Sequence, residues 1–105
     1  MAQAAREAGF LKAWAACWEE MDALGIQTAR MRKQAAELGA VPAAKRILSG
    51  RRRSDGFSEL EKQGKLHLSL EALAVKAAWG SFFTDEEANE ALNRLMEAGY
   101  TFGRP

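Results

Sequence analysis

One cysteine, one histidine, one tyrosine, two prolines and no long apolar run: these scarcities close off several classes of function before any motif is considered. A lone Cys17 forms no disulfide within the chain, which fits a reducing compartment and makes the cytoplasm the expected location. Cys17 and His67 together fall short of the three or four ligands that a zinc site requires. The same two residues would have to meet for Cys–His nucleophilic catalysis, yet one sits on a helical stripe and the other on a connecting segment. Neither G-x-G-x-x-G nor G-K-[ST] occurs, so no phosphate-cradling loop is expected. Apolar runs stay far below the roughly twenty residues of a membrane helix. The opening residues, with Arg6 and Glu7, do not read as a secretory signal. The expectation is a protein that is not an enzyme, with no metal and no cofactor.

What is present is ordinary globular material. A hydrophobic fraction of 48% against 28% charged residues over 105 positions is enough for one core, and a single domain over residues 1–105 is expected. Helical spacing dominates. Phe10, Trp14, Cys17, Trp18, Met21 and Leu24 form one stripe, predicting a helix from about Ala2 to Ala23 whose aromatic face docks on the segment Leu66 to Tyr100. In mid-stripe, Cys17 reads as a small hydrophobe with its pKa raised by burial. Thr28 is placed to cap a second helix carrying Met31, Ala35 and Leu38, ended by Gly39. Pro42, at a first helical position, opens a third from Pro42 to Ser49, with Ala43, Ala44, Ile47 and Leu48 inward and Gly50 closing it. Ser58 and Glu61 suggest a capping box for a short helix anchored by Phe57 and Leu60 and stopped by Gly64.

Leu66 to Tyr100 is the best-specified stretch. Leu66, Leu68 and Leu70 alternate with polar residues, but no second strand exists for them to pair with, so an extended lead-in is expected. Ser69 caps a helix with Leu70, Leu73, Ala74 and Ala77 that runs to about Trp79. Phe82 and Phe83 plug the crossing to a last helix. That helix starts at Thr84 with Asp85, Glu86 and Glu87, a capping box whose acids suit the positive end of the dipole. Ala88, Ala91, Leu92, Leu95 and Met96 make its apolar face, Glu90, Asn93, Arg94 and Glu97 its polar one, and Gly99 ends it. Glu71, in the first turn of its helix, favours the dipole and is a candidate partner for an arginine of the central segment. Thr101 to Pro105 reads as a short frayed tail. The fold expected is all-α, a compact bundle of about five helices with the first and last longest.

Charge is unevenly spread. The net +1 resolves into minus two over residues 1–29, plus six over 30–65 and minus three over 66–105, a basic belt between acidic ends. Its centre, Gly50 to Gly56, holds Arg51, Arg52 and Arg53 between two glycines with no apolar anchor, a flexible basic loop near residues 50–56. Lys45 and Arg46 lie one turn earlier. These five are the candidate partner-binding residues, able to make charge-assisted hydrogen bonds to carboxylates or phosphates.

Several of these runs resemble a family of small, stand-alone, largely uncharacterised bacterial helical proteins. The resemblance rests on Pro42 to Leu48, Ser54-Asp55-Gly56-Phe57 with Leu60, Gly64 to Leu73 (GKLHLSLEAL), Phe82-Phe83-Thr84, and Ala91, Leu95 and Gly99-Tyr100, about the last two thirds of the chain. Glu61, beside Leu60, stands where that pattern has an aromatic, and Phe82 where it has leucine. The resemblance implies a helical shape and transfers no activity, since that family has no assigned catalytic residue. The function expected is a non-catalytic binding module acting on a protein partner with an acidic surface, such as an inhibitor encoded by a mobile element, anti-CRISPR-like, that docks on a host nucleoprotein complex. The alternative is a nucleic-acid-binding accessory factor using the basic segment 30–65. Against it stand a pI near 7.9 and the lack of aromatics interleaved with the arginines. A helix-turn-helix can be drawn through Gln27 to Ser49, but its turn is weakly diagnostic. A membrane partner is not expected.

Overall fold

The aromatic stripe does form one helix. In the computed structural model, which describes residues 2–100 with side chains from residue 5 onward, α1 spans Ala2–Ala23 and buries Phe10, Trp14, Trp18 and Met21. Gly25 follows its end, and α2 (Ala29–Leu38) and α3 (Ala40–Ser49) pack on one another across a tight corner. One residue, Gly39, joins them at φ 92°, a backbone region that a side chain makes costly, and this permits so short a connection. After the arginine loop come α4 (Phe57–Gln63), a 3-10 turn Leu66–Leu68, α5 (Leu70–Ala74), a 3-10 helix Ala77–Phe82 and α6 (Asp85–Glu97). The expected tail, 101–105, lies outside the described residues.

The all-α class holds; the expected count of about five helices does not. Among the described residues there are seven helices, six α and the 3-10 helix Ala77–Phe82, with the turn Leu66–Leu68 besides. The difference arises mostly between Leu66 and Phe83. Leu66–Leu70 is not an extended lead-in: Leu66, Leu68, Ser69 and Leu70 are all buried, which a helical turn achieves and an alternating strand does not. Ser69 then caps α5 as expected, accepting from the Ala72 N–H while its hydroxyl donates to the Leu66 carbonyl. The helix expected to reach Trp79 stops at Ala74 because Lys76 takes an extended conformation (ψ 141°). That break turns Trp79 and Phe82, stacked at 6.3 Å, so that both meet the edge of Phe10. Aromatic contact has overridden the helix propensity of Ala77-Ala78.

Three expected helix starts also shift. Thr28 precedes α2 but does not cap it: its hydroxyl donates to Asp22 (2.6 Å) and accepts from Arg32 (2.9 Å), locking the α1–α2 corner. Pro42 is the third residue of α3 rather than the first, still within the turn whose N–H groups have no helical acceptor. No Ser58–Glu61 capping box forms, since α4 begins at Phe57 with Gly56 before it. The box at Thr84 and Glu87 is complete, at 3.1 and 2.9 Å.

Packing centres on Phe10. Within about 6 Å its ring meets Trp14, Trp79, Phe82 and Phe83, and Trp14 meets Trp18, so α1 touches the segment Leu66 to Tyr100 as expected. It also packs on α3, which the sequence did not suggest. α6 reaches the body through α3 and α5. The radius of gyration, 12.8 Å, matches the roughly 13 Å of a compact chain of this length. No helix among the described residues is long and apolar enough to cross a membrane.

Candidate functional site

The candidate site is a cleft of about 300 Å³ where α2, α3 and the loop between α3 and α4 meet. Arg30, Arg46, Arg51, Arg52 and Arg53 line it, with Asp55 as its one acid and Ile47 at its wall. Arg46, Arg51 and Arg52 are exposed, and none forms a salt bridge among the described residues. Arg30 approaches Asp55 only at 3.6 Å with most of its side chain in water, an interaction of little energetic weight. Arg53 lies over the Phe57 ring, 4.9 Å from its centroid, and reaches Glu61 at 3.4 Å.

Lys45 faces elsewhere. Its ammonium donates to Glu87 (2.8 Å) and to the Phe82 carbonyl (2.9 Å), fastening α3 to the start of α6. Glu87 also accepts from Ser49 and from the Thr84 N–H. Partial burial pushes the Glu87 carboxyl upward, but the bonds from Lys45, Thr84 and Ser49 outweigh it and hold the group below its ordinary range. Of the five expected partner-binding residues, the structure therefore gathers Arg46, Arg51, Arg52 and Arg53 in one cleft and sets Lys45 into the fold. Arg30 joins them from α2.

The loop's backbone is fixed from inside. Glu71 of α5 is fully buried, and one of its carboxylate oxygens accepts from the Ser54 N–H (2.9 Å) and from Arg94 (3.0 Å). The other accepts a short hydrogen bond from the Ser54 hydroxyl. Arg94 of α6, 3% exposed, also donates to Glu90 (2.8 Å) and to the carbonyls of Gly50 (2.7 Å) and Leu48 (3.3 Å). Both oxygens of the buried carboxylate thus accept hydrogen bonds, three in all, as burial of such a charge demands.

Sequence reasoning missed this centre. Helical period sets Arg94 on the polar face of its helix with Glu90, Asn93 and Glu97, opposite Ala91 and Leu95. Glu71 was given an arginine of the central belt; its partner comes instead from α6. One signal was available: Glu71 is the one charged residue between Leu68 and Ala74, a largely apolar stretch where a charge without a partner would not be tolerated.

A second concavity lies on the other side of the loop, where Glu86, Glu87 and Glu90 face Arg51. The loop is thus a basic ridge with an acidic neighbour. Cys17 is half-buried on α1, and burial pushes its thiol up, with a smaller opposing pull from Lys76. His67 is exposed on the Leu66–Leu68 turn, and no hydrogen bond joins it to Cys17. Among the described residues no three His, Cys, Asp or Glu side chains gather in a metal-binding group. Comparison with protein families, with curated proteins and with solved structures finds no match to this chain.

Proposed function

We propose that this protein is a non-catalytic binding module that holds the acidic surface of a protein partner against its arginine cleft. The observation that carries the reading is that Arg46, Arg51 and Arg52 are exposed, line one cleft together, and form no ion pair among the described residues. Guanidinium groups in such a cleft offer forked donors to carboxylates, and several together give an attraction that steers encounter as well as holding it. An inhibitor that a mobile element uses to block a host nucleoprotein complex in the cytoplasm is one protein of this kind.

Nucleic acid is the second reading, favoured by the same arginines. One feature weighs against it. The cleft wall offers no exposed aromatic on which a base could stack, Phe57 being buried beneath Arg53.

The test compares the parent with an Arg46→Ala/Arg51→Ala/Arg52→Ala variant. Co-purification from a bacterial lysate, read by mass spectrometry, should return a protein that the parent retains and the variant loses. Duplex and single-stranded oligonucleotides should bind neither form at low salt. Oligonucleotide binding by the parent that the triple variant loses, and that weakens steeply with salt, would replace this reading with the second.

A further inference from the structure

Three arginines in sequence between two glycines describe a segment free to move, yet both ends of the arch are held. At its start, Arg94 donates to the Gly50 carbonyl at 2.7 Å and to the Leu48 carbonyl at 3.3 Å. Four residues later, Glu71 accepts from both the N–H and the hydroxyl of Ser54. The two clamping groups are themselves joined at 3.0 Å and are almost wholly out of water, with side-chain exposures of 4% and 0%. Arg51, Arg52 and Arg53 therefore span a gap whose two feet stand on a single buried ion pair. The bond to Leu48 satisfies a carbonyl in the last turn of α3, but those at Gly50 and Ser54 lie beyond the helix, in the connection to α4 at Phe57. A surface loop needs no buried charge to close it.

We infer that the arginine arch is a preorganised docking surface for the carboxylates of an acidic protein segment, and that Glu71 and Arg94 are the positioning residues that set its shape from inside the fold. The inference rests on the binding reading above and adds which residues, remote from the partner, control it. A loop ordered before binding does not lose its backbone freedom on contact, so its grip is tighter than that of the same arginines on a slack chain. Carboxylates are the occupant that the cleft's charge and lining suit: the guanidinium groups offer forked donors to them, and no aromatic side chain lines the cleft for a base to stack on, Phe57 lying buried beneath Arg53.

The test uses the full chain and poly-L-glutamate as the probe, with an oligonucleotide duplex as the comparison, and amide hydrogen exchange at the two bonded loop amides, Gly50 and Ser54, as a second readout. Two mild variants loosen the clamp without leaving a buried charge unpaired. Ser54→Ala deletes one bond to Glu71, and Arg94→Lys keeps the charge while losing the reach to the two carbonyls. A third, Leu95→Ala, destabilises the same helix through a residue that is fully buried and makes no hydrogen bond to the loop. Both clamp variants should speed exchange of the loop amides and weaken poly-L-glutamate binding by about tenfold. Leu95→Ala should lower the melting temperature and change neither. Loop exchange in Ser54→Ala and Arg94→Lys that matches the parent overturns the inference, as does equal loosening by Leu95→Ala. If the parent and the Arg46→Ala/Arg51→Ala/Arg52→Ala variant hold poly-L-glutamate equally well, or the duplex outcompetes it, the carboxylate docking reading falls. Loop exchange then still decides whether the clamp sets the arch.

Discussion

At the scale of single residues, the structure turns on a few side chains that pattern alone would place at the surface. Gly56 shows how strictly a loop residue can be specified. Its backbone sits at φ 82°, and a Cβ there would come within 2.6 Å of the Ile26 side chain and 2.7 Å of the Met21 side chain. Gly56→Ala therefore incurs both left-handed strain and a clash against the buried end of α1, and should destabilise the fold by about 1–3 kcal/mol in chemical denaturation. A value near zero would mean that Ile26 and Met21 yield without cost. The Ser54-Asp55-Gly56-Phe57 turn was legible as a turn. That its glycine is pressed against methionine and isoleucine from α1 and the corner after it was not, because nothing local records which distant side chain will lie behind a backbone.

At the scale of elements, helix ends divide into those set locally and those set by packing. The start of α6 is local: Thr84 and Glu87 bond reciprocally within three residues, and the box was legible from the sequence. Its coupling to α3 through Lys45 was not. That coupling predicts a pH dependence. Glu87 is held below its ordinary range in the folded chain, so in the window between its folded and unfolded values the unfolded chain binds more protons. The stabilisation from Glu87 is complete above the ordinary carboxylate range and is lost as pH falls through the depressed folded value. Thermal melts from neutral pH down through that range should show the parent losing more stability than Glu87→Gln, whose position 87 does not titrate. The helix drawn from Ser69 to Trp79 illustrates the other case. Its cap was legible and its end was not, since Lys76 breaks the helix in favour of aromatic contacts with Phe10, more than sixty residues away in the chain.

At the scale of the molecule, one buried pair ties together parts that the backbone leaves separate. Arg94 and Glu71 join α5, α6, the end of α3 and the arginine arch. Arg94→Met removes one charge and leaves the other buried without its partner, a change expected to cost about 3–5 kcal/mol of folding stability by denaturant titration. Replacing Glu71 and Arg94 together by glutamine and methionine should cost less than Arg94→Met alone, because no unpaired charge then remains. Additive losses would show that the two residues act independently. The sequence by itself determined the all-α class, the long aromatic helix, the Ser69 and Thr84 caps and the concentration of arginines near residue 50, because helical period, capping and charge are properties of neighbours in the chain. The tertiary structure alone decided that Lys45 serves the fold, that Arg94 is buried, and that the arch is held at both feet. Each of these depends on a partner between 17 and 46 residues distant, and the free energy of burying a charge or closing a loop is fixed only when that partner arrives.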